Sequence, residues 1–199
     1  QEESLAILDA RLGARLDLDA RMRLHDAAEG WPIGLQLAIA AIEQEADPAA
    51  AVRSLSARHG SLQDYFADSM QAAFSGERVE ALARIAILDR FNAELAALVC
   101  DASVAELLEQ LLRETPILIA GEDSGWYRLH PLARDYLLGL FERLPADMRD
   151  GLHARVSHWY IGHGHFHEAA AHALAAGDEA LAHAHAARAL WALGADGRI

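Results

Sequence analysis

The chain has 199 residues, 53% of them hydrophobic, which is enough to build a core and excludes intrinsic disorder. Thirty acids face 17 basic residues for a net charge of −13, so duplex nucleic acid is repelled on average. All the basic residues are arginine, which removes every lysine-dependent phosphate loop and Schiff-base chemistry, and the one cysteine, Cys100, excludes an internal disulfide and a cysteine-cluster zinc site.

The abundant alanines and scarce β-branched residues predict a mainly α fold. Leu5, Leu8 and Leu12 share a helical face over 3–12. A second helix is predicted over Asp19–Ala28, with Asp19 as N-cap and Gly30 as the stop. Pro32 suits a helix start, and Leu35, Leu37, Ala38, Ile39 and Ile42 predict a buried helix ended by Asp47-Pro48. Apolar spacing predicts helices over Ser61–Phe74 and Glu77–Leu88. Ser103–Glu114 carries a capping box, Ser103 with Glu106, and a stripe of Val104, Leu107, Leu108, Leu111 and Leu112.

The period then changes. Pro116–Ala120 is a short apolar run, Trp126–His130 alternates, and a turn-rich 121–125 lies between them, so a β-hairpin is predicted. A helix over Pro131–Leu144 follows. Beyond Pro145 the pattern predicts helices over Leu152–Gly162, Phe166–Ala176 and Glu179–Leu193, joined by glycine turns in the manner of tetratricopeptide-like hairpins. A single such repeat cannot bury its own face, which predicts that the chain continues past Ile199. The expected architecture is mainly α: a helical lid (1–60), a winged-helix-like domain with one β-hairpin (61–145), and the start of TPR-like helical repeats (146–199).

Several residue groups bear on chemistry. Eight of the eleven histidines lie between His153 and His185, but His163, Gly164 and His165 straddle a predicted turn. Solvated or edge-packed histidines are expected there, with no metal. His25-Asp26 resembles a metal-phosphohydrolase pair but stands alone in a predicted surface helix. Cys100 reads as a buried structural thiol. The third helix of the winged helix carries Glu106, Glu109 and Glu114 against Arg113, and the wing tip carries Glu122 and Asp123. Both surfaces that would meet phosphates are acidic, so no DNA contact by this segment is expected. No uncharged apolar run is long enough to span a bilayer, no signal peptide is visible, and a cytoplasmic location is expected.

Two clusters flank the predicted winged helix, "EGWPIGLQLA" at 29–38 and "WYRLHPLARDYL" at 126–137. Together with "HARVSHWYIGHGHFHEAAAHALAAGD" at 153–178, they resemble the middle of the large ATP-binding regulators of the LuxR type, of the maltose-activator-like kind. These are signal-transduction ATPases with numerous domains (STAND). The resemblance implies a lid, a winged helix and the start of a repeat sensor, between an absent N-terminal ATPase core and an absent C-terminal helix-turn-helix. It implies ATP or ADP as the cofactor of the full-length protein, with none held tightly by this chain. It places Gly30 and Pro32 at a lid motif whose proline packs on adenine. His130 falls at a winged-helix histidine that reaches the β-phosphate of ADP and holds the closed state. Pro131 stands where relatives carry aspartate. The implied function is a regulatory segment, not an enzyme, that closes over ADP at rest and relays a small-molecule inducer from the repeats, with self-oligomerisation when active. The alternative is a stand-alone helical protein-interaction adaptor.

Overall fold

The computed structural model describes residues 10–28, 35, 36, 38, 39, 42, 47–53, 60–100, 104–114, 117–121 and 125–195. Among them the fold is mainly α, with one two-stranded antiparallel sheet.

The first unit has a core of its own. Helix α1 (Leu18–Ala28) turns Ala20, Leu24 and Ala28 inward at four-residue spacing, against Leu12, Leu16 and Val52 and the helical residues Leu35, Ala38, Ile39 and Ile42. The cap of α1 is Asp17, not Asp19: the Asp17 carboxylate accepts the Ala20 N–H at 2.8 Å. Asp19, one residue inside the helix, pairs instead with Arg23 at 2.9 Å. Arg21 ties down the preceding 3-10 turn (Gly13–Arg15) by donating to the carbonyls of Gly13 and Leu16. Asp47-Pro48 opens a short further helix, α2 (Pro48–Arg53), with Asp47 accepting the Ala50 N–H. The expected helix over 3–12 is described only from Ala10, while Gly30, Pro32 and Ser103 lie outside the described residues.

The second unit begins with α3 (Gly60–Ala73) and α4 (Gly76–Ile85), which bury Phe66, Met70, Leu82 and Ile85. Helix α4 stops three residues short of the predicted Leu88. The chain then extends so that Phe91 forms a two-bond bridge with Tyr127, at 2.8 and 2.7 Å. Helix α5 (Ala93–Val99) follows, capped by Asn92, whose side chain accepts the Leu95 N–H. Helix α6 (Val104–Glu114) buries Val104, Leu107, Leu108 and Leu111 but leaves Leu112 43% exposed. At 100° per residue Leu112 lies about 80° around the helix from Val104, off the centre of the stripe.

Strands β1 (Leu118–Ala120) and β2 (Tyr127–Leu129) pair Leu118 with Leu129 and Ala120 with Tyr127. With the Phe91 bridge, this is the helix–strand–helix–helix–hairpin order of a winged helix, its first strand reduced to one residue. Helix α7 (Pro131–Phe141) follows it, packed on α3 and α4, and also meets α1.

Helices α8 (Ala146–Gly162), α9 (Phe166–Ala175) and α10 (Glu179–Ala195) form successive antiparallel hairpins. Helix α8 starts six residues before the expected Leu152. Pro145 fixes its entry, but its first turns face solvent and carry no apolar stripe to announce them. Gly164 and Gly177 sit at the two turns with φ near +78°, a conformation that side chains with a Cβ resist. The hydrophobic core runs without a break from Phe66 through the winged helix to Leu152, Val156, Tyr160 and Ala169. The first repeat hairpin and the winged helix therefore share one core, and the α1 unit has another. Leu174, Leu190 and Trp191 are exposed on α9 and α10.

Candidate functional site

Residue 130 stands where three elements meet. The His130 N–H closes the hairpin by donating to the Ile117 carbonyl at 2.7 Å. Its backbone, at φ −56° and ψ 135°, makes it the N-cap of α7, with Pro131 at the first helical position. Its carbonyl accepts the Arg134 N–H, the first bond of that helix. Pro131 costs nothing there because the first-turn N–H has no helical partner.

His130 is buried, 2% exposed. Its Nδ1 accepts the Leu132 N–H at 3.3 Å, taking up one of the orphan donors at the start of α7. A ring nitrogen that accepts carries no proton, so the proton of the neutral ring sits on Nε2. Nε2 lies 2.9 Å from the Ala28 carbonyl and donates to it. Ala28 is the last described residue of α1. One side chain thus caps the start of the winged helix's final helix and binds a backbone carbonyl of the first unit's α1.

Beside His130 lies an open cleft of about 340 Å³, lined by Asp89, Arg128, Leu129, Pro131, Arg134, Asp135 and Leu138. Arg134 is fixed in its wall by an ion pair to Asp89 at 2.6 Å and a bond to the Ala86 carbonyl at 2.8 Å. The cleft therefore presents both charges next to a buried imidazole. Gly30 and Pro32 lie outside the described residues, so of the three expected nucleotide-site residues only His130 is placed.

Sequence reasoning missed two partners. Ala28 was read only as a helix end; its carbonyl has no signature in sequence. Arg134 was more accessible, since it follows His130 at four residues on a predicted helix and so had to lie on the same face.

The histidine-rich tail is less uniform than expected. His172 and His185 are buried, at 9% and 5% exposure, and not solvated. The alanine-rich helices pack closely enough to enclose them. His172 and His153 face each other across the α8–α9 contact with their Nδ1 atoms 2.9 Å apart. Burial pushes His172 down to about 4, helped by the charge of His153, and burial also lowers His153. Burial raises the Tyr160 phenol to about 12, its hydroxyl donating to the Arg90 carbonyl. Among the described residues no three His, Cys, Asp or Glu side chains converge on a metal position. Cys100 is buried, its thiol against the Ala81 carbonyl. His25 lies in α1 with Asp26 exposed. The outer face of α6 presents Glu106 and Glu109, the latter 3.6 Å from Arg113. Among the described residues no helix is long and apolar enough to cross a membrane.

Residues 67–149 match the family described as the MalT winged helix domain. The match runs from α3 to the first turn of α8 and so contains the whole hairpin, His130 and α7. The wider chain is similar to a serine/threonine-protein kinase, PknK, of Mycobacterium tuberculosis strain H37Rv, at 30% identity over 183 residues, 91% of this chain and 16% of that protein. It is also similar to the HTH-type transcriptional regulators MalT of Serratia proteamaculans, 29% identical over 90% of this chain, and of Klebsiella pneumoniae strain 342, 29% identical over 89%. The chain spans only 20% of each of these regulators. The matched winged-helix segment thus carries His130, whose buried side chain hydrogen-bonds to α1 of the separate first unit.

Proposed function

We propose that this chain is the regulatory middle segment of an ATP-dependent, inducer-responsive transcription activator. It closes over ADP in the resting protein, and the helices beyond Pro145 relay inducer binding. The observation that carries the reading is the position of His130 in a MalT-type winged helix, its Nε2 proton directed across the junction to the end of α1. Gly30 and Pro32 supply the adenine side of the site, and His130 supplies the phosphate side.

The chemistry supports such a switch. Nε2–H is the ring's one donor while Nδ1 accepts from Leu132. A single donor serves one strong acceptor, so His130 reaches a phosphate oxygen only by leaving the Ala28 carbonyl. The exchange is favourable, because a hydrogen bond to a charged group is worth about 1.5–3 kcal/mol against about 1 for a neutral one. The inducer shifts the balance only by binding the open form more tightly than the closed one. The ATPase core and the helix-turn-helix of the same protein, and further copies of it when active, are the partners. The segment contributes binding groups and no catalytic group.

The test is His130→Ala in the full-length protein. Bound ADP after purification is expected to fall and transcription without inducer to rise. If both stay unchanged in a folded protein, the role assigned to His130 is wrong. A second reading, a stand-alone protein-interaction adaptor, draws on the exposed Leu174, Leu190 and Trp191. A reading frame without a phosphate-loop domain upstream would favour it.

A further inference from the structure

Outside the His130 junction, a cluster of aromatic side chains joins the wing to the first repeat hairpin. Trp126 precedes β2, and the Arg90 guanidinium lies over its ring at 5.2 Å. His165, the N-cap of α9, meets Trp126 edge-on at 6.5 Å, Tyr160 edge-on at 5.8 Å, and lies parallel to Trp159 at 6.4 Å. Trp159 is held on its other contacts: His163 stacks on it at 3.7 Å, and its indole N–H donates to Glu94 of α5 at 2.8 Å. Tyr160 closes the group by donating to the Arg90 carbonyl. The turn between α8 and α9 thus grips the start of β2, and β2 is a three-residue strand that ends at His130.

We propose that this aromatic clamp, centred on His165, positions β2 so that a displacement of the first repeat hairpin is delivered to His130. The mechanical coupling stands on the contacts above; that it serves nucleotide release rests on the function proposed for His130. Three physical features support it. The contacts are short-range and face-specific, so they resist sliding. They join elements that already share one hydrophobic core. The strand between clamp and His130 is pinned at both ends, by the Phe91–Tyr127 bridge and by the His130 bond to Ile117, which leaves it no slack. His165 is a positioning residue: it touches neither the cleft nor the His130 ring.

The test uses the chain without nucleotide, so it can fail or succeed independently of the ADP reading. The Nε2 proton of His130 and the Tyr127 amide are followed by hydrogen exchange in the parent, in His165→Ala and Trp126→Ala, in His165→Phe, and in a control, His167→Ala. Aromatic contacts of this kind shift equilibria by about two- to tenfold each. Exchange of both protons is expected to quicken by about that factor in the two truncations, to stay near the parent rate in His165→Phe, which keeps a ring, and to be unmoved in His167→Ala. Equal rates in the parent and both truncations would overturn the coupling. So would an acceleration in His167→Ala as large as in His165→Ala, because the effect would then be general loosening of α9. If Trp126→Ala does not fold, the comparison of His165→Ala with His165→Phe decides alone.

Discussion

The Nδ1 atoms of His153 and His172 lie 2.9 Å apart across the contact of α8 and α9, with Phe141 edge-on to one ring and Tyr160 against the other. One nitrogen must donate and the other accept, so the neutral pair is held by opposite tautomers. Two protonated rings cannot keep that bond.

This geometry predicts a pH-dependent stability. Burial holds His172 near 4, below its ordinary 6.5, so between those values the unfolded chain binds more protons than the folded one. Stability is therefore complete above about pH 6.5 and falls as the pH drops toward 4. Asp89 opposes the His172 shift while His153 and Arg134 reinforce it; at His153, also lowered by burial, Asp150 opposes and Arg149 reinforces. The expected loss is roughly 2–3 kcal/mol. Urea midpoints between pH 7 and 4 measure it, and His172→Asn should flatten the slope while lowering the plateau. Parallel slopes in parent and variant would refute the assignment.

His130→Ala removes the acceptor for Leu132 and the donor for Ala28 together. Each buried group left unpaired costs about 1–3 kcal/mol. His130→Asn keeps an N-cap acceptor but does not span the gap to Ala28, so it should recover only part of the loss. Chemical denaturation of the chain tests this order, parent above Asn above Ala.

Duplex DNA is expected not to bind at physiological salt. The helix that would enter a groove, α6, exposes Glu106 and Glu109, and Arg113 is drawn to Glu109. Fluorescence anisotropy with random duplexes reads this directly. Salt-sensitive micromolar affinity would contradict it.

Zinc is expected not to bind stoichiometrically. The His163 Nδ1 is bonded to the Trp159 carbonyl, and the Nδ1 atoms of His153 and His172 are bonded to each other. Metal would have to displace those bonds, and among the described residues no three His, Cys, Asp or Glu side chains converge to replace them. Calorimetric titration of the dialysed chain should show no site; one tight zinc per chain would revive a metal-based reading of the tail.

The sequence by itself determined the element types. Ala20, Leu24 and Ala28 or Leu107, Leu108 and Leu111 announce helices because burial selects apolar residues at helical spacing. The change to alternation at Trp126–Leu129 announces the hairpin for the same reason. Glycines at 164 and 177 mark turns because backbone strain is local. Helix α5 was legible in principle, from Asn92 as cap and Leu95, Ala96 and Val99 as stripe, but its seven residues give little periodicity. Tertiary structure alone decided the rest. That Asp17 outcompetes Asp19 as a cap depends on where the chain first turns. That His153 and His172 become one buried pair depends on how α8 and α9 pack. That the Ala28 carbonyl meets His130, 102 residues away, depends on how two separate cores come together. A backbone carbonyl is common to every residue, so nothing in the side-chain code reports which one a distant histidine will find.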